Sequence, residues 1–211
     1  MWYTLVAVGA GILLGIVARG SFRTIADQSF QAWALLPLGV VVQALPDVLD
    51  TGDRVGGVLL LGSYVCLASF AVLNLRMVGM AVVFVGLAMN LVPIATNRGM
   101  PVRADAVVAA HIAGADEIPQ LRFDAKHHLE TPDDQWMILA DIIPVRPLRE
   151  VLSFGDLVMS FGIANVIFRM MKPRPNARRR DNEPPPAEAD VLDLTGHEPG
   201  HDDIRALSVR A

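Results

Sequence analysis

Apolar residues in this chain are gathered into five runs that hold almost no charge. The runs are 16 to 19 residues long and together contain 89 of the 211 residues. They cover residues 2–18, 30–45, 55–73, 77–95 and 154–171. A helix needs about 20 apolar residues to cross the roughly 30 Å hydrocarbon core of a bilayer, and a backbone exposed to lipid must be helical. The pattern therefore predicts an all-α integral membrane protein with five transmembrane helices.

Basic residues at the ends of these runs predict the direction of each crossing, because Lys and Arg near span ends stay in the cytoplasm. Arg19 and Arg23 follow the first run, and Arg76 separates the third from the fourth. A basic cluster follows the fifth run and consists of Lys172, Arg174, Arg178, Arg179 and Arg180. Placing all of these inside predicts a multi-pass plasma-membrane protein with an external N-terminus and a cytoplasmic C-terminus. The second run is short and contains Pro37, but without its crossing the basic cluster would be external.

Two long segments lie outside the runs. Residues 96–152 carry nine acidic and six basic residues, and they are too long for a plain connector. We expect a partly helical external loop there, with short helices over 104–113 and 131–140, the second burying Trp136. Residues 172–211 begin with the basic cluster and continue with an excess of acids and prolines, which predicts a disordered cytoplasmic tail beside a membrane domain of residues 1–171.

The composition excludes several classes of protein. Hydrophobic residues make up 53% of the chain and charged residues only 19%, against about 25% charged in a soluble domain. This argues against a soluble enzyme and a nucleic-acid-binding domain, and the single Cys66 argues against a disulfide scaffold. The expected partner is the lipid bilayer, with no nucleic acid. The basic cluster could contact anionic lipid headgroups, although a topology signal alone also explains it.

The few polar residues inside the runs lie toward the predicted outer ends. Gln43 is near the end of the second run, and Asn90 lies in the fourth. Either these amides flank an outward-open cleft, or they form hydrogen bonds between helices. On the fourth helix a stripe of small residues and amides is predicted to face other helices and not lipid. The stripe consists of Gly79, Gly86, Asn90, Pro93 and Asn97.

Two carboxylates at the outer face are candidates for chemistry. Asp156 follows Ser153 by three residues in a capping-box pattern, so a helix cap explains it. Asp141 could meet Asp156 in one site, which would suggest acid–base work, or it could pair with Arg146 or Arg149.

Two adjacent histidines raise the question of a metal. His127 and His128 have Asp124 and Glu130 nearby, but neighbouring residues point in different directions on a regular element. No H-x-x-x-H or C-x-x-C spacing is present. We therefore predict no metal site and no cofactor.

Three short segments carry a resemblance to a known family. They are N-R-G-M-P-V at 97–102, D-I-I-P-V at 141–145 and S-F-G-D at 153–156. Together they resemble the motif set of a bacterial family of small multi-pass membrane proteins catalogued as a domain of unknown function. The resemblance covers residues 1–171. It implies an integral membrane protein with an external loop, and it suggests that the three segments form one unit at the outer face. It carries over no activity and no catalytic residue.

These observations lead to one candidate site and three hypotheses. The candidate outer-face polar site consists of Gln43, Asn90, Asn97, Gly99, Pro101, Asp141, Pro144, Ser153 and Asp156. The leading hypothesis is a non-enzymatic membrane protein that binds a membrane-protein or lipid partner through this face. The alternative is a membrane enzyme acting on a lipid-linked or cell-envelope substrate, with Asp141 and Asp156 as acid and base. A small transporter comes third, because few polar residues lie at membrane depth.

Overall fold

The computed structural model describes residues 2–26, 28–49, 53–124 and 126–172, without the side chains of residues 47, 53 and 54. Lys172 is the last residue described. The predicted tail from residue 173 onward lies outside the described residues, together with four of its basic residues. These are Arg174, Arg178, Arg179 and Arg180.

The described residues form seven α-helices, five of which coincide with the apolar runs. The long helices are α1 (Trp2–Val17), α3 (Leu35–Leu49), α4 (Asp53–Leu73), α5 (Met80–Asn97) and α7 (Phe154–Met171). The short ones are α2 (Arg23–Ala26) and α6 (Ala104–Ala109). Pro37 is tolerated because it lies in the first turn of α3, where a backbone N–H has no partner within the helix.

Three of these helices are long and apolar enough to cross a membrane, which supports a membrane location. They are Val55–Leu73 in α4, Met80–Asn97 (α5) and Phe154–Met171 (α7). The apolar parts of α1 and α3, Trp2–Val17 and Leu35–Pro46, are shorter. The mostly helical fold is therefore confirmed, whereas five membrane crossings stay a prediction.

The long helices pack in the order α1, α7, α5, α4, α3, so that α7 lies between α1 and α5. Small residues allow the close approaches. A Cβ atom added at Gly155 of α7 would lie 1.9 Å from the side-chain oxygen of Asn90 on α5. On α1, Gly11 and Gly15 are buried, and an added Cβ would meet Ala164 or Met171 of α7. The small-residue stripe of α5 is buried as predicted at Gly79, Gly86, Asn90 and Pro93.

One end of the bundle, here called the loop end, carries residues 98–153. The backbone N–H of Trp2 donates a hydrogen bond to the Glu150 carboxylate (3.1 Å), which places the start of α1 there. At the opposite, far end, the N–H of Ser21 donates to the carbonyl of Met171 (2.8 Å), and the ends of α1 and α7 meet.

The far end is also where α4 finishes and α3 begins. Asn74, just after α4, exchanges hydrogen bonds with the backbone of Gln31, just before α3 (2.9 and 3.0 Å). A buried cluster unites the end of α4, the start of α5 and the end of α7 through Phe70, Met80, Val166 and Met170. The five long helices therefore alternate in direction. The far end carries Arg19, Arg23, Arg76 and Lys172, all of them exposed.

Residues 98–153 form a compact cap with two small sheets, so the fold is not purely α-helical. Strand β1 (Met100–Val102) pairs in parallel with β2 (His127–Leu129), and β3 (Ile143–Val145) pairs antiparallel with β4 (Glu150–Leu152). A bridge between Val102 and Asp141 connects the two.

The two short helices predicted in this segment fare differently. Helix α6 confirms the first over Ala104–Ala109, and it ends early because His111 takes a left-handed backbone conformation (φ 58°). The helix predicted over 131–140 is wrong. The Asp134 carboxylate accepts from the N–H of Thr131 (2.6 Å), but Trp136 takes a left-handed backbone conformation (φ 58°), and only a 3₁₀ helix follows at Met137–Leu139. Trp136, predicted to be buried, is 54% exposed.

Candidate functional site

A buried hydrogen-bond network joins α5 to the start of α7. The side-chain N–H of Asn90 donates to Asp156 Oδ1 (2.7 Å), and the Ser153 hydroxyl donates to Asn90 Oδ1 (2.8 Å). The N–H of Ser153 donates to Asp156 Oδ2 (3.1 Å), and the N–H of Asp156 donates to the Ser153 hydroxyl (3.0 Å). These last two bonds are the predicted capping box. Asn90 also forms the interhelical hydrogen bond that one of the two interpretations required.

Two tyrosines extend this network to α1 and α4. Tyr3 of α1 and Tyr64 of α4 both lie close enough to Asp156 to interact electrostatically with it. Four helices therefore meet around one carboxylate and one amide. Neither tyrosine was part of the site predicted from the sequence. Because the amphipathic ring of a tyrosine suits a membrane interface as well as an interior network, the sequence alone does not separate the two placements.

A second group of titratable residues lies in the cap around Asp141. Its backbone is fixed in the bridge, since its N–H donates to Pro101 and its carbonyl accepts from Arg103 (both 3.0 Å). Its side chain is buried, with Oδ2 3.5 Å from His127 Nε2. His127 Nδ1 lies 2.5 Å from Asp124 Oδ1. The three side chains form an Asp124–His127–Asp141 array.

One oxygen of this array, Asp141 Oδ1, has no hydrogen-bond partner among the described residues. This atom is nevertheless buried. The arginines considered as partners are engaged elsewhere. Arg146 Nε donates to the carbonyl of Ala109 and Arg149 Nε to that of His111 (both 3.1 Å). The predicted Asp141–arginine pairing is therefore replaced by contact with His127.

The pKa values within the array differ for identifiable reasons. Burial raises the pKa of Asp141 to about 7, and the positive charge of His127 offsets only part of this effect. Burial would lower the pKa of His127, but the hydrogen bond to Asp124 together with the charges of Asp124 and Asp141 raises it. Burial would likewise raise the pKa of Asp124, but the same hydrogen bond, the charge of His127 and the backbone N–H of Lys126 together lower it to about 2. Near neutral pH, Asp124 is ionised and Asp141 is close to its titration midpoint.

Both groups line one cavity of about 560 Å³ that extends from the cap into the bundle. Its polar wall includes Asp141, His127 and Asp156. Its apolar wall comes from four helices and includes Leu36, Val40, Leu67, Leu87, Met159 and Ile163. Gln43 and Asn90 line the same cavity, as the cleft interpretation required. Leu36 and Val40 are about half exposed, so the wall formed by α3 reaches the outer side of the bundle.

The other predicted site residues shape the cap. Asn97 clamps the backbone of Gln135, donating to its carbonyl (2.9 Å) and accepting from its N–H (2.8 Å). Gly99 and Pro101 are buried beside and in β1, whereas Pro144 is exposed in β3. Together with Ser153, these described residues lie outside the cavity lining.

The described residues contain no group of three or more His, Cys, Asp or Glu side chains arranged to hold a metal ion. The neighbouring histidine, His128, instead contacts the Asp134 carboxylate (3.1 Å). The two histidines that raised the metal question thus face different carboxylates.

The contact of His127 with Asp141 was missed because it depends on tertiary structure. In the parallel register of β1 and β2, His127 is paired with Met100. Asp141 arrives beside the same strand through its bridge to Val102. No spacing in the sequence encodes this meeting, because the paired segments are separated by irregular connections.

Comparison with protein families gives one match. A family model described as Family of unknown function (DUF5317) matches residues 27–168. The match includes α3, α4, α5, the cap and most of α7, and it leaves out α1, which the sequence resemblance had included. No curated protein and no solved structure matches the chain.

Proposed function

The chain belongs to DUF5317, a family of unknown function, and from that premise we propose that it is a multi-pass membrane protein that binds an amphipathic, lipid-like molecule in its cavity. The observation that carries this proposal is the division of the cavity wall into an apolar part among the helices and a polar part beneath the cap. The volume of about 560 Å³ falls in the range of small-molecule sites, roughly 300–1,000 Å³.

The position of the apolar wall favours a ligand that arrives from the bilayer. Leu36 and Val40 of α3 line the cavity and are also about half exposed on the helix surface. A hydrocarbon chain could therefore pass between surrounding lipid and the interior without crossing the polar cap. Deeper wall residues such as Leu87, which is 5% exposed, would contact only a molecule that has entered.

We also propose that α1 and α3 cross the membrane with α4, α5 and α7, with the loop end outside and the far end in the cytoplasm. The alternating helix directions support five crossings. The exposed arginines Arg19, Arg23 and Arg76 at the far end support this orientation. Exposed Trp2 at the loop end and Trp33 near the far end are suited to the two interfaces.

Cysteine labelling tests this topology. In a Cys66→Ser background, Asp133→Cys reports on the loop end and Arg76→Cys on the far end, both at exposed positions. A membrane-impermeant maleimide should label Asp133→Cys in intact cells. It should label Arg76→Cys only after the cells have been permeabilised. The reverse pattern would contradict the orientation, and labelling of both from outside would contradict the alternation.

Ligand binding is tested by filling the cavity. Val40→Trp places a large ring in the apolar wall, and Val41→Trp is the matched control one residue on, outside the lining. The full chain in nanodiscs is exposed to a long-chain alcohol carrying a photoactivatable diazirine, and crosslinks are mapped by mass spectrometry. We expect labelling at Leu87 in the wild type and in Val41→Trp, with a large loss in Val40→Trp. Equal labelling in all three, or none at Leu87, would refute the proposal.

A second function, catalysis on a lipid-linked or cell-envelope substrate, is favoured by the Asp124–His127–Asp141 array. Asp141 is suited to general acid–base work by its contact with His127 and its pKa near neutrality. Asp156 is less suited than the sequence predicted, because Asn90 and the backbone of Ser153 occupy its two oxygens.

Comparing membrane lipids tests this second function. Cells overproducing the wild type are compared with cells overproducing Asp141→Asn, with Asp133→Asn as a control outside the cavity. An enzyme should change the abundance of a lipid species in the wild type and the control but not in Asp141→Asn. Identical lipid profiles in all three would argue for binding without chemistry.

A further inference from the structure

We infer that the polar end of the cavity selects a headgroup that carries a hydrogen-bond donor and no negative charge, a hydroxyl or an amine, on a single long apolar chain. The inference rests on the proposed lipid-binding function and names the chemical class of its ligand. It follows from which polar atoms face the cavity and which of them are already occupied.

The buried polar wall presents acceptors. Asp141 and Asp156 both line the cavity and are 4% and 6% exposed. Both oxygens of Asp156 already accept hydrogen bonds, from Asn90 and from the backbone of Ser153. Asp141 Oδ1 accepts none from the described residues. A buried acceptor without a partner is unfavourable, and a donor on the ligand would satisfy it.

The positive groups around the cavity do not reverse the preference for a headgroup that donates a hydrogen bond and carries no negative charge. His127, the cation nearest to Asp141, is held through Nδ1 by Asp124. The Nε of Arg149 donates to the backbone, and Arg122 is exposed. Lys126 also lines the cavity, is half-buried, and its charge acts on Asp124 and His127. The cations are therefore paired with a carboxylate, half-buried or exposed, whereas the two buried carboxylates, Asp141 and Asp156, are acceptors.

An anionic headgroup would meet two buried carboxylates. Asp141 and Asp156 are close enough that the charge of Asp156 raises the pKa of Asp141. Like charges repel more strongly away from water than in it. A fatty acid or an acidic phospholipid headgroup would bring a further negative charge beside Asp141, whereas a hydroxyl would donate to Asp141 and an amine would also offset its charge.

The apolar wall calls for a chain rather than a compact polar molecule. Leu67, Leu87, Met159 and Ile163 contribute hydrocarbon from three helices below the carboxylates. The cavity thus pairs an acceptor-rich end with a long apolar section. This arrangement separates the inferred ligand from a sugar or amino acid, which would leave the apolar wall unused.

Three photoactivatable probes of equal chain length test the headgroup preference: an alcohol, an amine and a carboxylic acid, each with a diazirine in the chain. The full chain in nanodiscs of zwitterionic lipid is labelled at pH 8, where Asp141 is ionised. Labelling at Leu87 is quantified by mass spectrometry. We expect the alcohol and the amine to label about tenfold more than the acid, the ratio produced by a 1.4 kcal/mol difference in binding.

A variant then assigns the preference to Asp141. In Asp141→Asn, labelling by the acid should rise toward that by the alcohol, and labelling by the amine should fall. Asp133→Asn, an exposed carboxylate outside the cavity, should keep the wild-type order. The wild-type order decides the preference even if Asp141→Asn does not fold. Equal labelling by the three probes, or stronger labelling by the acid, would overturn the headgroup inference and leave lipid binding standing. No labelling at Leu87 by any probe would overturn both.

Discussion

Replacing Asp141 by asparagine should stabilise the protein relative to the wild type, and this stabilisation should increase as the pH rises. Burial raises the pKa of this carboxyl from 3.8 to about 7 in the folded chain. The folded state therefore holds the proton more tightly than the unfolded state, and ionisation progressively destabilises the fold as the pH rises from about 4 to about 7. Asparagine keeps the shape without ionising. The charged groups that act on Asp141 are His127, Asp156, Asp124 and Glu150.

The size of the effect follows from the change in pKa. Raising the pKa of a buried acid from 3.8 to about 7 corresponds to about 4 kcal/mol of destabilisation once the group is fully ionised. This is an upper limit, because movement of His127 or entry of water would reduce it. For a chain of this size, 1 kcal/mol changes Tm by about 2–4 °C. About 1.7 kcal/mol of this destabilisation is already present at pH 5. The Tm difference between Asp141→Asn and the wild type should then widen by up to roughly 5–10 °C from pH 5 to pH 8.

Thermal unfolding of the full chain in one detergent measures this difference. Tryptophan fluorescence is followed at pH 5, 6, 7 and 8 for the wild type, Asp141→Asn and the exposed control Asp133→Asn. The control should follow the wild type at every pH. A constant difference between Asp141→Asn and the wild type would refute the assignment of a raised pKa to Asp141, as would a difference that favours the wild type as the pH rises.

Further predictions concern the contact between α5 and α7. Gly155→Ala should lower stability by about 2 kcal/mol or more, because its Cβ would overlap Asn90 and force the helices apart. Gly62→Ala, where an added Cβ meets nothing within 4 Å, should be neutral or slightly stabilising in the same melting assay, and equal losses would contradict this reasoning. Ser153→Ala should cost about 1 kcal/mol for the lost helix cap, and more because Asn90 loses its hydroxyl donor. Ser160→Ala removes a buried hydroxyl without a hydrogen-bond partner among the described residues and should cost less, so a larger loss there would contradict the proposed cap.

The features predictable from the sequence were those encoded within one segment. Apolar runs identified the five long helices, because burial in lipid or in a bundle demands such runs. The Ser153–Asp156 capping box was confirmed, since both partners lie within one helical turn. The stripe through Gly86 and Asn90 was placed correctly between helices, because residues spaced by three and four share a helix face.

The features that were missed depend on contacts between distant segments. His127 reaches Asp141 only through the pairing of β1 with β2 and the bridge from Val102. The helix expected over 131–140 fails because Asn97 bonds to both backbone groups of Gln135 and Trp136 takes a left-handed backbone conformation. In both cases a side chain contacts a residue that no local sequence pattern specifies.

The order of packing has a consequence for how the chain is made. Among the described helices α1 is made first, yet its main helical partner in the bundle is α7, which is made last. The buried face formed by Gly11 and Gly15 must therefore wait until more than 130 further residues have been synthesised. This side of the bundle therefore assembles only after α7 has been made, and a ribosome that stops before α7 releases α1 without its principal neighbour.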